Sequence, residues 1–193
     1  MIRVARLLTL FATLALIVGL AGAVTAEGRH SHTKDKAARA KEVPSDLMPP
    51  AGAVLLFELG ARGDQIYTCA AKPEDPATFV WIFKAPQAEL FNDRGEVVGS
   101  HFAGPTWQAQ DGSSVKGAVV ARANARSQNA IPWLLLEATS HGGDGVFSTI
   151  THIQRLDTKG GVAPSKGCDA THAGEEVRVP YKATYAFYNP AAS

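Results

Sequence analysis

Residues 177–188 read Val-Arg-Val-Pro-Tyr-Lys-Ala-Thr-Tyr-Ala-Phe-Tyr, an alternation typical of a strand with one buried face. The inward positions of this alternation are Tyr181, Ala183, Tyr185 and Phe187. Upstream, short apolar segments alternate with glycine turns, and Asp111-Gly112 is a strong hairpin signal. No segment after Pro50 keeps a helical period over about ten residues. The pattern predicts a single-domain all-β fold, a β-sandwich or barrel of about eight to ten antiparallel strands.

The first part of this domain predicts a hairpin. Apolar residues 53–59 and 65–70 flank residues 60–64, in which glycine and charged side chains favour a turn. Residues 79–84 follow with aromatic side chains at alternate positions and aliphatic ones between them. We expect that segment to be a strand buried on both faces.

The N-terminus has the parts of an export signal. Arg3 and Arg6 precede an uncharged apolar run at 7–20, and small residues at 24–26 predict cleavage after Ala26, with the small residues at 21–23 as the alternative. The run is shorter than the roughly 18–25 residues of a membrane span, and no cysteine follows it for lipidation. We expect residues 1–26 to be a signal peptide that is removed, leaving a periplasmic or secreted protein without a stable membrane anchor.

The rest of the chain divides into a tether and a domain. Residues 27–43 are charged, alanine-rich and poor in large apolar side chains, so they predict a flexible tether. Residues 44–193 predict a single β domain, long enough to bury a core. The chain carries 19 Lys and Arg against 18 Asp and Glu. This near-neutral balance provides no electrostatic basis for nucleic-acid binding.

The chain has two cysteines, Cys69 and Cys168, both in the part expected to be exported. In an oxidising compartment a lone pair of cysteines favours one disulfide. Metal binding by two isolated thiols is the alternative, although neither cysteine belongs to a C-x-x-C pair.

The sequence contains no dinucleotide, P-loop, zincin or nucleophile-elbow motif, so catalytic residues stay unknown. Candidate site residues come instead from the placement of histidines and aromatic residues. His101 and His141 each end a predicted strand, and Trp107, close to His101, is the best candidate for a pocket wall. We expect one ligand-binding rim, formed by His101, Trp107, His141 and Asp144.

The sequence leaves three functional hypotheses, of which the first two use this rim. The leading hypothesis is a non-catalytic exported domain, without a cofactor, that binds a small molecule, a glycan or an envelope protein. The second is a metal-assisted hydrolase or redox enzyme in which His101, His141 and Asp111 or Asp144 hold a transition metal. Asp169 and His172 offer a further ligand pair. The third is a structural or stress-related protein with a protein partner.

The chain also resembles a family of exported bacterial and fungal proteins catalogued only as a domain of unknown function. The matching stretches are 65–69, 81–91, 101–107 with 111–112, 131–136, 153–155 with 160–161, Cys168, and 179–188. The resemblance spans nearly the whole mature domain. It implies an extracytoplasmic domain with a Tyr-Thr-Cys strand and a late cysteine, which supports pairing of Cys69 with Cys168. It implies no activity.

Overall fold

The computed structural model describes residues 43–190, which form eight strands and two short 3-10 turns and contain no α-helix. The strands are β1 Val54–Lys72, β2 Asp75–Phe91, β3 Val97–Phe102, β4 Thr106–Ala109, β5 Ser114–Ala123, β6 Trp133–Gly142, β7 His152–Gly160 and β8 Glu176–Asn189. The 3-10 turns are Ser45–Leu47 and Ala170–His172. The all-β prediction is confirmed. The predicted signal peptide, 1–26, and all but the last residue of the predicted tether, 27–43, lie outside the described residues.

The eight strands form one antiparallel sheet that closes on itself. Each strand pairs with the next in the chain, and β8 returns to pair with β1. The β1–β8 seam runs from Val54 opposite Asn189 to Thr68 opposite Glu176. Register shifts interrupt several of the ladders, including the seam. Such irregularities bend strands, so this is an irregular barrel of the predicted class.

β1 is one continuous strand, so the turn predicted at residues 60–64 is wrong. Every residue of that segment pairs with β2 on one side and with β8 on the other. A Cβ at Gly63 would lie 2.1 Å from the carbonyl oxygen of Gln87 and 2.5 Å from the Cα of Ala88. Glycine at this position therefore permits the close approach of two strands instead of reversing the chain.

β2 is also longer than predicted, and its first half is more exposed. Ile82 and Phe83 are 38% and 50% exposed, so the prediction that residues 79–84 are buried on both faces is wrong. The physical reason is the shortness of β3, which pairs with β2 only at residues 88–91. The first half of β2 therefore pairs with β1 alone.

Because neighbouring strands are antiparallel, successive connections lie at opposite ends of the barrel. We call the end with the β1–β2, β3–β4, β5–β6 and β7–β8 connections the open end, and the other the closed end. At the closed end the rings of Phe57, Phe147 and Phe187 pack together, with Phe147 and Phe187 centroids 4.9 Å apart. Phe147 and Phe187 are fully buried. Aromatic side chains therefore fill the closed end.

The β6–β7 connection, residues 143–151, supplies one of these rings. Its Val146 amide donates to Asp111 Oδ2 at 2.9 Å, and its Phe147 amide donates to Ser113 Oγ at 3.2 Å. The β4–β5 turn thus holds the β6–β7 connection against the closed end.

A second apolar cluster lies outside the barrel. Leu47 packs with Trp133, Leu135 and Leu156, and its carbonyl oxygen accepts a hydrogen bond from Gln154 Nε2 at 2.6 Å. The segment before β1 therefore covers the outer face of β6 and β7, and β7 is buried on both faces.

The predicted disulfide between Cys69 and Cys168 is confirmed. It ties the β7–β8 connection, residues 161–175, to β1 at the open end. Tyr67 Oη donates to the Gly161 carbonyl oxygen at 2.5 Å, and Trp81 Nε1 donates to that of Lys166 at 3.0 Å. Backbone hydrogen bonds of Cys69 with Gly174 and Glu175 hold the same connection against β1. Within the described part of the chain, no helix has the length and apolar character required to cross a membrane.

Candidate functional site

The open end of the barrel is hollow. A cavity of about 400 Å³ lies there, and each of the eight strands contributes to its wall. Much of the wall is apolar, with Phe83, Leu134 and Leu136 on it. Eight-stranded barrels either fill their interior with side chains or hold one small ligand. This barrel is filled at one end and hollow at the other.

Three polar atoms of the cavity wall are buried without a hydrogen-bond partner among the described residues. They are Gln65 Nε2, Trp107 Nε1 and Tyr185 Oη. None of these side chains is more than 2% exposed. A buried polar atom without a partner costs about 1–3 kcal/mol, and most such atoms in proteins are paired. The wall therefore has hydrogen-bonding capacity that the described residues do not use.

The charged residues of the cavity wall are all basic: Lys84, Arg122 and Arg155. Lys84 pairs with Glu176, and both side chains are exposed. Arg155 is half-buried and donates from Nε and Nη2 to the Pro132 carbonyl oxygen, at 3.1 and 2.9 Å. No salt bridge within residues 43–190 includes Arg122 or Arg155. Arg122 and Arg155 thus bring to the cavity positive charge that no carboxylate of the described residues pairs with.

Arg155 lies among the titratable side chains of the barrel interior. Burial raises the pKa of Tyr67, Tyr181 and Tyr185, and the positive charge of Arg155 partly opposes that rise in each case. Arg155 lies near Tyr185 Oη, but no donor or acceptor reaches that oxygen with hydrogen-bond geometry. One guanidinium therefore acts on side chains of both β1 and β8.

His101 and Trp107 occupy directly paired positions on β3 and β4, and both lie in the cavity wall. Their rings stack with centroids 4.5 Å apart and planes 12° from parallel, and Tyr185 contacts both rings edge-on. The Thr106 carbonyl oxygen, 2.9 Å from His101 Nδ1, can only accept, so Nδ1 carries the hydrogen. Nε2 is then the acceptor nitrogen of the neutral ring.

Burial lowers the pKa of His101 to about 3, and the charge of Arg155 adds to this effect against the opposing hydrogen bond to Thr106. The imidazole is therefore neutral near pH 7. A general acid or base works best when its pKa lies near the working pH. His101 is better suited to stacking and to accepting a hydrogen bond than to transferring protons.

His141 and Asp144 lie at the closed end, away from the cavity wall that contains His101 and Trp107. His141 Nε2 donates to the Ile150 carbonyl oxygen at 2.7 Å, and Asp144 is exposed in the β6–β7 connection. Across the sheet His101 is paired with Trp107, Trp107 with Val115, and Val115 with His141, so three strand spacings separate the two histidines. Three strand spacings amount to about 14 Å. The structure brings together two of the four predicted residues, and ligand binding by all four stays a prediction.

The residues of the metal hypothesis are similarly dispersed. Residues 43–190 contain no group of three His, Cys, Asp or Glu side chains placed to hold a metal ion. Asp111 accepts hydrogen bonds from Ser113, which lower the pKa of its carboxyl. Asp169 Oδ1 lies 2.8 Å from His172 Nδ1, and it also accepts from the amide of Thr171. These two aspartates therefore stabilise turns.

Gln65, Arg155 and Tyr185 are polar residues of the wall that the sequence patterns do not assign to a site. Tyr185 was placed by its alternation in the core, which it does occupy, at 1% exposed. Gln65 and Arg155 give no local signal of this kind, because each has a polar neighbour in its strand, Asp64 and Gln154. Which side chains of β7 face the cavity follows only from the strand register, because both faces of β7 are buried.

The closed sheet and its hollow end define an all-β protein with a cavity of small-molecule size. The chain belongs to the family described as "Protein of unknown function (DUF3455)", whose model matches residues 50–189. The match contains all eight strands and confirms the resemblance to a domain of unknown function. Searches among curated proteins and among solved structures found no match.

Proposed function

We propose that this protein is a non-catalytic binding protein that holds a small molecule inside the open end of its barrel. One observation carries the proposal: a cavity built by all eight strands whose wall contains buried polar atoms without partners. Its volume of about 400 Å³ falls within the range of small-molecule sites, about 300–1,000 Å³. A ligand that paired with those atoms would remove their desolvation cost.

The experiment uses thermal unfolding with three acids and their amides as probes: benzoate, naphthoate and decanoate, with benzamide, naphthamide and decanamide. A molecule that binds only the folded state raises the midpoint of unfolding by mass action. We expect at least one pair to give a concentration-dependent increase.

A matched pair of variants locates the binding. Val119 lines the cavity and is 40% exposed, whereas its neighbour Val120 is 53% exposed and does not line it. Val119→Trp places a bulky ring at the cavity and should abolish the increase, while Val120→Trp should retain it. The proposal fails if no probe shifts the midpoint, or if Val119→Trp responds like the wild type.

We also propose that the protein works in the periplasm or outside the cell. The disulfide fits a non-cytoplasmic protein, and the sequence of residues 1–26 supports export. Mass spectrometry of protein recovered from outside the cytoplasm should find a chain that begins at Glu27. A chain that retains Met1 to Ala26 would contradict this proposal.

A further inference from the structure

The cavity wall presents an unequal set of hydrogen-bonding groups. Gln65 Nε2 and Trp107 Nε1 are buried donors that no acceptor of the described residues reaches with hydrogen-bond geometry, although Gln65 lies near the Tyr181 hydroxyl. Arg155 uses Nε and Nη2 on the Pro132 carbonyl oxygen, and no hydrogen bond of the described residues engages Nη1. His101 Nε2 can accept and Tyr185 Oη can donate or accept, so donors outnumber acceptors in the wall and match a ligand rich in acceptors.

The charge of the wall also favours a ligand that accepts hydrogen bonds. Arg122 and Arg155 line the cavity without a carboxylate partner among the described residues, whereas Lys84, also in the wall, pairs with Glu176. A half-buried guanidinium without a carboxylate partner favours an anion, and its planar arrangement of N–H groups matches a carboxylate.

The remainder of the wall determines what else the ligand carries. Phe83, Leu134 and Leu136 line the cavity, and the stacked rings of His101 and Trp107 add a flat aromatic surface. An apolar or aromatic body fits this surface, while a carboxylate accepts from the donors beside it.

From this geometry we propose that the natural ligand is a small organic carboxylate, with its carboxylate at Arg155 and Gln65 and its apolar body against Trp107 and Leu136. The proposal rests on the binding function proposed above and adds the chemical class of the ligand. A carboxylate accepts hydrogen bonds and cannot donate them, which is the complement of the unpaired donors in the wall.

The test is the ratio of dissociation constants within each acid and amide pair, measured by titration calorimetry at neutral pH. The two members differ in charge and hardly in shape. Hydrogen bonds to charged groups are about twice as strong as neutral ones. For the wild type we expect the acid to bind at least tenfold more tightly than its amide, with a preference that weakens as salt is added.

The variants assign the preference to named residues. Arg155→Gln should bring acid and amide to within about twofold of each other, because it removes the charge and keeps a donor for the Pro132 carbonyl oxygen. Gln65→Leu removes one donor and leaves the charge of the wall unchanged, so it should weaken acid binding. Arg94→Gln, in the β2–β3 turn at the closed end, is the matched loss of an exposed arginine and should keep the wild-type ratio.

The outcomes separate this inference from the binding proposal. If acids and amides bind equally and Val119→Trp blocks both, the cavity is a binding site and the carboxylate assignment is wrong. If the acids bind more tightly but Arg155→Gln and Arg94→Gln lose the preference equally, Arg155 is not the anion site. The wild-type ratio needs no variant, so a poorly folded Arg155→Gln protein does not remove the test.

Discussion

The two ends of this barrel are made by the same strands and differ in what fills them. At the closed end, rings from β1, β8 and the β6–β7 connection occupy the interior. At the open end, the interior holds a cavity of about 400 Å³ with buried donors and a half-buried guanidinium. A packed interior lowers the free energy of the folded state, whereas unpaired polar atoms raise it. We infer that the closed end supports stability and the open end supports binding.

The largest effect should come from the loss of a ring at the closed end. Phe147 is fully buried, so Phe147→Ala should reduce the free energy of unfolding by about 3–5 kcal/mol. Phe83, at the open end, is 50% exposed, and Phe83→Ala should cost less than about 1 kcal/mol. Urea denaturation measures both. Equal losses would remove the distinction between the two ends.

A second test uses the pH dependence of the open end. Burial lowers the pKa of His101 to about 3 in the folded protein, whereas an unfolded chain protonates histidine near 6.5. Between these values the unfolded state binds more protons, so lowering the pH through this window favours unfolding. The free energy of unfolding should fall by up to about 1.4 kcal/mol per pH unit from this group alone.

His101→Phe provides the control, since phenylalanine keeps a ring against Trp107 and does not titrate. Urea denaturation of both proteins between pH 7 and pH 4 should show a shallower pH dependence for the variant. Other groups titrate equally in both proteins and cancel in the difference. Parallel curves would show that His101 is not buried in its neutral form.

The smallest effect concerns two tyrosine hydroxyls. Tyr185 Oη is buried without a hydrogen-bond partner among the described residues, so Tyr185→Phe should leave the stability unchanged or raise it by about 1 kcal/mol. Tyr67 Oη donates to Gly161, and Tyr67→Phe should lower the stability by about 1 kcal/mol. Thermal unfolding without ligand compares them, and a larger loss for Tyr185→Phe would contradict the assigned roles.

Local sequence patterns were sufficient for much of the fold. The period-two alternation at residues 177–188 predicted β8, and Asp111-Gly112 predicted the β4–β5 turn. Both signals act over a few residues, so neither depends on distant contacts. The segment at 60–64 shows the limit, because the same residue types favour a turn and a close approach of strands. Only the pairing of Gly63 with Ala88, which brings the Gln87 carbonyl oxygen against Gly63, separates the two.

The site was less accessible to sequence reasoning than the fold. His101 and Trp107 were singled out, and the structure stacks them. His141 was placed beside them because both histidines end strands, but consecutive strand ends alternate between the two ends of an antiparallel barrel. Gln65 and Arg155 come from β1 and β7, which lie on the two sides of β8 once the barrel has closed, so no local pattern could connect them.

The β1–β8 seam has a consequence for how the chain folds. It pairs Val54 with Asn189, positions near the two limits of the described chain, so the ring cannot close until β8 has been synthesised. Pairing over such a distance is slow, because the entropy of closing a long loop is lost before the contacts form. Gln65 on β1 and Tyr185 on β8 line the same cavity only once this seam has formed. Uptake of a ligand would therefore report completed folding, and any folding intermediate with an open seam would lack the site.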